Sequence, residues 1–327
     1  MLLNAWLSAA RRQFLSANSR RVNRIGAPRV VRMESLEERA LLSGIPTVNT
    51  LVINPDNVTS YLNAAGGLEV DNADMAGKDG LVIEGLSVSA TSGNAINVDL
   101  SGIALQRFAI ESVNVTQFTG LGINVKLANV TGLDSVAVED VTVIKRTTEA
   151  LNFRFINTDT NGFTIDDSTL PGIVITAEQG SDLRNGVVTE STITAPQGVQ
   201  GVTLNVLSTP GGISTADGFR IINNANITTD NGDAVQVNAT GYVDSVTKNT
   251  VSRLDGLTIA NNAVGTREGA NVSFRAQGDT FIQPFVLTNN STGSDLLQTF
   301  TLDLAGIGLQ FDPDAVTGKP FTAIGTS

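Results

Sequence analysis

The sequence predicts an all-β protein, a single-stranded parallel β-helix whose short strands stack coil upon coil around one apolar axis. First, a strand-like segment recurs seven times, mostly at intervals of about 27 residues. Second, each copy alternates apolar and polar residues with period two, which marks a strand with one buried face. Third, 32 Gly and an aromatic content of 5% suit many strands joined by tight turns.

The repeat consists of two strand-like segments per unit. The first segments are LVIEGLSV from Leu81, FAIESVNV from Phe108, VAVEDVTV from Val136, FTIDDSTL from Phe163, VVTESTIT from Val187, FRIINNAN from Phe219 and LTIANNAV from Leu257. The clearest second segments are AINVDL from Ala95, GINVKL from Gly122, LNFRF from Leu151 and AVQVNA from Ala234. A unit this short cannot bury its own apolar side unless neighbouring units stack on it. It is also too short to be a β-sandwich, which needs roughly 100 residues. We therefore expect about seven stacked coils, right-handed because parallel crossovers normally are.

The rhythm of the repeat divides the chain into four parts. Residues 1–45 form a basic leader, helical or disordered, and residues 46–80 an N-terminal cap that covers the open end of the stack. Residues 81–280 form the β-helix. After Phe281 the rhythm changes, and strands near 285–288 and 300–304 predict a β-hairpin. That hairpin either opens an incomplete β-sandwich module or caps the helix.

Composition excludes several kinds of function. The chain contains no Cys and no His, which excludes disulfides, thiolate or imidazole metal sites and a Ser-His-Asp triad. A net charge of −11 argues against nucleic acid as a partner. No stretch approaches the roughly 20 apolar residues of a membrane-spanning helix, so we expect no membrane span.

The leader differs chemically from the rest of the chain. Residues 1–40 contain eight Arg and three Glu, whereas the remainder contains 13 basic and 29 acidic residues. The segment around residues 36–43 resembles the LEPR-XLL motif near the N-terminus of planctomycete surface proteins, with Glu38 where that family has Pro. The matching residues are Leu36, Glu37, Arg39, Leu41, Leu42 and Ser43. The resemblance implies recognition by an export machinery and a location at the cell surface or outside the cell.

Equivalent positions of successive coils lie above one another and form columns. One column is predicted to hold carboxylates, at Glu84, Glu111, Glu139, Asp166 and Glu190. Neighbours about 4.8 Å apart repel by roughly 0.9 kcal/mol even in water, so solvated side chains that keep the rod soluble are expected. The alternative is a weak Ca²⁺-binding column, because Ca²⁺ prefers oxygen ligands. No other cofactor is predicted.

Further columns predict a polar exterior. Small or amide residues follow the carboxylates at the corner, namely Gly85, Ser112, Asp140, Asp167, Ser191, Asn223 and Asn261. The second strands place Asn97, Asn124 and Asn152 outward, beside Asp99, Lys126 and Arg154. A carbohydrate-binding face is the alternative to a merely solvated one, although exposed aromatic residues for sugar stacking are scarce.

Two segments resemble the polygalacturonase family. Asn157-Thr158-Asp159 matches its NTD motif, and residues 224–237 resemble the coil with its paired aspartates, where Asp233 matches the first acid. The second acid is replaced by Ala234, and the family's His and Arg-x-Lys motifs are absent. The resemblance therefore implies a fold and no complete hydrolytic site, since such hydrolysis needs two carboxyls.

A polysaccharide lyase would need a basic residue beside cation ligands. Lys145-Arg146 with Arg107, or Lys126 with Arg154, could supply it. We predict no catalytic residue and favour a non-catalytic extracellular structural or adhesion protein. The alternative is a polysaccharide-active enzyme, with a lyase ahead of a hydrolase. Extracellular polysaccharide and other surface proteins stay open as partners.

Overall fold

A computed structural model describes residues 49–144, 150–210, 212–241, 252–277, 285–288 and 300–303, with backbone alone from 275 onward. The leader, with its predicted export motif at residues 36–42, and the Lys145-Arg146 pair lie outside the described residues. Within them, no helix has the length and apolar character needed to cross a bilayer.

The strands form four parallel sheets, and the seven coils that begin with the strands from Gly80 to Leu257 each contribute one strand to each of the first three. Sheet 1 contains Thr50–Ile53, Gly80–Glu84, Arg107–Glu111, Ser135–Glu139, Phe163–Asp166, Gly186–Thr189, Arg220–Ile222, Leu257–Ala260 and Phe285–Thr288. Sheet 2 contains Ser87–Ser89, Asn114–Gln117, Thr142–Val143, Thr169–Leu170, Thr192–Ala195, Asn226–Thr229 and Val264–Thr266.

The remaining sheets complete the coil. Sheet 3 contains Leu68–Asp71, Ile96–Ser101, Ile123–Ala128, Leu151–Ile156, Ile173–Glu178, Val202–Leu207, Val235–Thr240, Val272–Gln277 and Phe300–Asp303. Sheet 4, between sheets 3 and 1, contains Asp182–Arg184, Thr215–Asp217 and Arg253–Asp255. Consecutive strands of a sheet come from consecutive coils, which confirms the predicted parallel β-helix. Its right-handed turn stays a prediction.

The stack is longer than the seven coils expected, because sheets 1 and 3 each contain nine strands. The segment predicted as an N-terminal cap contributes a coil of its own. Thr50–Ile53 pairs in parallel with the strand from Gly80, and Leu68–Asp71 with the strand from Ile96. A 3-10 helix, Val58–Tyr61, interrupts this first coil, and its two end residues pack against the core. The helix stands where later coils have a sheet 2 strand, so this coil lacks part of the repeated sequence pattern.

The predicted C-terminal β-hairpin is wrong for the strands that the structure describes. Phe285–Thr288 pairs in parallel with Leu257–Ala260, and Phe300–Asp303 pairs in parallel with the strand from Val272. These two strands therefore continue sheets 1 and 3.

One predicted register is wrong by a single residue. Phe163 pairs with Gly186, not with Val187, so the buried residue of this strand is Val188. An apolar residue normally occupies the first inward position of this strand, but here that position is Gly186. The sequence analysis therefore assigned the position to Val187, one residue too late. A slip of one residue reverses the face of every side chain in the strand.

The core is a continuous apolar column along the axis. The predicted pairs Leu81/Ile83 and Ile96/Val98 are fully buried. In the middle coils phenylalanines from sheets 1 and 3 meet edge to face, with Phe153 and Phe163 at 5.3 Å between ring centroids. Such pairs contribute about 0.5–1.5 kcal/mol beyond area burial.

The corner between sheets 1 and 2 turns through one residue per coil with a left-handed backbone. These residues are Gly85, Ser112, Asp140, Asp167, Glu190, Asn223 and Asn261, with φ between 45° and 64°. The predicted corner column is thus present, except that Glu190 replaces Ser191. Asn and Asp tolerate this conformation better than most side chains because they can bond locally.

Behind this corner the core changes from apolar to polar. The residue after the turn is Leu86, Val113 or Val141 in the early coils and Ser168, Ser191, Asn224 or Asn262 in the later ones. The Ser168 amide donates to Ser191 Oγ, and the Ser191 amide donates to Asn224 Oδ1, at 3.2 and 3.1 Å. These side chains satisfy backbone groups that the turns leave unpaired, which is the condition for burying them.

Candidate functional site

The carboxylate column on sheet 1 contains four of the five predicted residues. Glu84, Glu111 and Glu139 are paired in register, and Asp166 pairs with Glu139. Glu190 is not in this column, because the register slip places it at the left-handed corner. Thr189 takes the fifth place. The column is therefore shorter than predicted.

The geometry of the described residues offers little to a cation. Arg107 donates to Glu111 Oε1 at 2.7 Å within the same strand, which neutralises one member of the column. Glu84 and Glu111 line an open cavity of about 470 Å³ next to Asp56. Nevertheless, no group of three or more acidic side chains in the described part of the chain is arranged to hold a metal ion.

The outward columns of sheet 3 are confirmed in register. Asn97 pairs with Asn124, which pairs with Asn152, and each amide nitrogen donates to the preceding carboxamide oxygen at 2.8 Å. The ladder of amides is thus bonded along the stack. Its hydrogen-bonding groups stabilise neighbouring coils, which leaves fewer of them for a ligand.

Ion pairs link the adjacent column. Lys126 Nζ contacts Asp99 at 3.0 Å, and both side chains are well exposed. Arg154 donates to Glu178 of the next coil, whose side chain is only 11% exposed. Of the proposed lyase bases, Arg107, Lys126 and Arg154 therefore each contact a carboxylate in an ion pair. The described residues do not bring them into a groove with paired acids.

A charged group on sheet 4 was missed by the sequence analysis. Arg184 contacts Asp182 at 2.5 Å, and Thr215 of the next coil donates to the same carboxylate. Hydrogen bonding to Asp182 raises the pKa of Arg184 above its ordinary value, and the charges of Asp159 and Asp217 act in the same direction. The strands of sheet 4 are three residues long with one apolar residue each, so they show no alternation that sequence reasoning could find.

The residues that resemble polygalacturonase motifs have structural contacts here. Asn157 occupies a left-handed corner with φ 47° and donates to Asn129 at 2.8 Å. Thr158 is buried, and its hydroxyl accepts a bond from the Val130 amide. Asp159 accepts a bond from the Asp182 amide at 3.0 Å. These contacts join adjacent coils, and they explain the three residues without a substrate.

Asp233, the match to the first paired acid, is similarly engaged. Its carboxylate accepts bonds from Gln236 Nε2, Ser273 Oγ and the Ala270 amide. The adjacent Ala234 is fully buried in the core. The arrangement anchors one coil to the next and contains one acid where hydrolysis needs two.

A second open cavity, of about 370 Å³, lies beside Thr194 and Asp230 and contains one acidic residue.

Comparison of the chain with family profiles, with curated proteins and with solved structures found no match.

Proposed function

We propose that this protein is a non-catalytic extracellular rod that serves as a scaffold or adhesive element at the cell surface. The observation that carries the proposal is the pair of nine-stranded parallel ladders, which extend from Thr50 to Asp303 along the stack. A repeat of this kind gains stability coil by coil and produces an elongated surface.

The paired state of the polar columns supports a structural role. The amides of sheet 3 bond to one another, and Arg107, Lys126 and Arg154 contact carboxylates. A catalytic site usually contains titratable groups whose surroundings shift their pKa toward the working pH. Here Lys126 and Arg154 instead join adjacent coils, and Arg107 bonds to a carboxylate of its own strand.

Export is proposed from the leader. Its Arg-rich composition and the residues resembling LEPR-XLL, Leu36 to Leu42, match an address read by a sorting receptor. The double variant Leu41→Asp with Leu42→Asp would remove two apolar residues of this motif. The same change at Leu2 and Leu3 is the matched control, because it lies in the leader but outside the motif.

The test is fractionation of planctomycete cells that produce the full-length chain. We expect the wild type and the Leu2/Leu3 variant at the cell surface, and the Leu41/Leu42 variant inside the cell. Equal surface delivery of all three would overturn the proposed address. Wild-type chain that stays inside the cell would overturn the extracellular role itself.

The enzyme alternative has a separate test. Purified protein is incubated with a broad set of uronate-containing glycans, and unsaturated products are followed by their ultraviolet absorbance. The scaffold role predicts no product with any glycan. If the wild type forms product and Lys126→Met or Arg154→Met does not, the protein is a lyase and the non-catalytic proposal is overturned.

A further inference from the structure

Asparagine precedes glycine at three places in the chain, which are Asn161-Gly162, Asn185-Gly186 and Asn231-Gly232. A glycine amide is the least hindered backbone nucleophile, because glycine has no Cβ to shield it. Its nitrogen can attack the side-chain carbonyl carbon of the preceding asparagine, which is the first step of deamidation. The three pairs share this dipeptide, so a difference in reactivity between them has to come from the fold.

The side chain of Asn231 is held in a way that favours this attack. It is exposed, and its Oδ1 accepts a hydrogen bond from the Gly198 amide of the preceding coil. The attack places negative charge on Oδ1, and a fixed N–H at this oxygen stabilises that charge as it develops. The leaving nitrogen, Nδ2, makes no hydrogen bond with any residue that the structure describes.

The amide of Gly232 is available as the nucleophile. Gly232 is buried, and its carbonyl oxygen accepts bonds from the hydroxyls of Thr229 and Thr266. Its N–H, in contrast, has no acceptor among the described residues. Buried backbone N–H groups are almost always paired, so this one is an exception. No hydrogen bond is lost when its nitrogen attacks.

The other two pairs have the opposite arrangement. Asn161 Nδ2 donates to Asp134 Oδ1 at 3.5 Å, and Asn185 Nδ2 donates to the Asn161 carbonyl oxygen at 3.2 Å. Within the described part of the chain, neither asparagine has a donor to its Oδ1. The leaving nitrogen is therefore held in place, and the developing charge has no fixed donor.

We propose that Asn231 is a site of spontaneous modification, at which the folded chain converts its own side-chain amide to a carboxylate. The Gly232 nitrogen bonds to Asn231 Cγ, the bond from Cγ to Nδ2 breaks, and the proton lost by the Gly232 nitrogen leaves with Nδ2 as ammonia. Water then opens the resulting five-membered imide. Opening at Cγ leaves aspartate at position 231, and water is the sole co-reactant.

The product suits the contacts already present. A carboxylate oxygen at position 231 can still accept from the Gly198 amide, and a charged acceptor strengthens such a bond. The new charge lies between Asp230 and Asp233 in the sequence, next to the second open cavity, and adds to a net charge of −11. The modification goes beyond the proposed scaffold role and does not depend on it. In a scaffold that is not renewed, it would distinguish old molecules from new ones.

The test is incubation of the purified, folded full-length chain in water enriched in heavy oxygen, because each imide that water opens takes up one labelled oxygen. The chain is then unfolded and digested with trypsin in ordinary water, and the peptides are weighed by mass spectrometry. Cleavage after lysine and arginine separates the three asparagines into peptides 155–184, 185–220 and 221–248. We expect Asn231 to take up label at least about tenfold faster than the other two, since a fixed donor at a developing oxyanion has at least this effect.

A parallel incubation in urea separates the effect of the fold from that of the sequence. In the unfolded chain the three pairs should take up label at similar rates, because they share the same dipeptide. Labelling of Asn231 no faster than the other two in the folded chain would overturn the proposal. The same preference for Asn231 in urea would also overturn it, because the cause would then lie in the sequence alone.

Asn231→Asp is the control for the position of the label. Its peptide 221–248 still contains four other asparagines, and we expect it to stay unlabelled. Equal labelling of this peptide in the variant and the wild type would place the reaction at another asparagine and reject the proposed site. Fragment spectra of the wild-type peptide locate the label directly, so the test does not depend on the variant being folded.

Discussion

The ring of Phe219 occupies the space that a side chain at Gly186 would need. The two residues are equivalent positions of consecutive coils, and a Cβ added to Gly186 would lie 2.2 Å from Phe219 Cδ2. The ring reaches past the glycine to stack on Phe163, 6.2 Å away between centroids. The ring of Phe219 thus fills the space that the absent side chain of Gly186 leaves in the preceding coil.

Gly186→Ala is therefore expected to destabilise the protein by about 1–3 kcal/mol, the usual cost of an overpacked core. Gly162→Ala is the matched control, because its added Cβ would have its nearest contact at 3.5 Å, from the Asp134 carbonyl oxygen. Chemical denaturation would measure both. Equal stability of the two variants would show that Phe219 can move aside without cost.

The polar core behind the corner makes a second prediction. Ser191 Oγ accepts a bond from the Ser168 amide and donates to the Thr189 carbonyl at 2.8 Å. Ser191→Ala leaves the buried amide without its acceptor, so we expect a loss of about 1–3 kcal/mol. Ser87→Ala, at an exposed position, is expected to stay within about 0.5 kcal/mol of wild type. If Ser191→Ala loses no more stability than Ser87→Ala, a water molecule has replaced the Ser191 hydroxyl as the acceptor for the Ser168 amide.

The two ion pairs of sheet 3 differ in exposure, which gives a third prediction. Arg154→Met removes the partner of a side chain that is only 11% exposed, Glu178, and should cost about 1–2 kcal/mol. Lys126→Met breaks the exposed pair with Asp99 and should cost no more than about 1 kcal/mol.

A double variant identifies the cause of the Arg154 effect. Glu178→Gln removes the charge that Arg154→Met leaves unpaired, so the combined variant is expected to regain part of the lost stability. Urea denaturation of the single and double variants measures the coupling. Purely additive losses would assign the effect to packing of the Arg stem.

Calcium provides a fourth prediction. Because the four aligned carboxylates include one paired with Arg107 and form no metal-binding group, millimolar Ca²⁺ should shift the melting temperature no more than an equal concentration of Mg²⁺. Thermal melts with Ca²⁺, with Mg²⁺ and with chelator measure this. A rise specific to Ca²⁺ that Glu84→Gln removes would restore the sequence-based alternative of a binding column.

Period-two alternation predicted the strands of the early coils and their columns, since Leu81, Phe108 and Val136 repeat the same apolar position. The prediction failed where a residue lacks the apolar side chain found at the equivalent position of other coils. Gly186 carries no side chain, so the apolar pattern moved by one residue and Glu190 was misplaced. The first coil was missed because the 3-10 helix stands where later coils have a sheet 2 strand, so the repeated pattern is incomplete there.

The candidate site was less predictable for a different reason. Ser168, Ser191 and Asn224 are turn residues by type, and only tertiary structure shows that they are buried and bonded along the stack. The contact of Arg184 with Asp182 depends on strands too short to show periodicity. Residues close in space but set on different coils carry no signal in a single sequence.

The parallel pairing of each coil with only the coil before and the coil after it has a consequence for how such a molecule can change. Loss or duplication of one whole turn, for example the residues from Arg107 to Asp134, joins equivalent surfaces and alters the reach of the molecule without altering its cross-section. Length is then an inheritable variable that mutation can adjust in fixed steps.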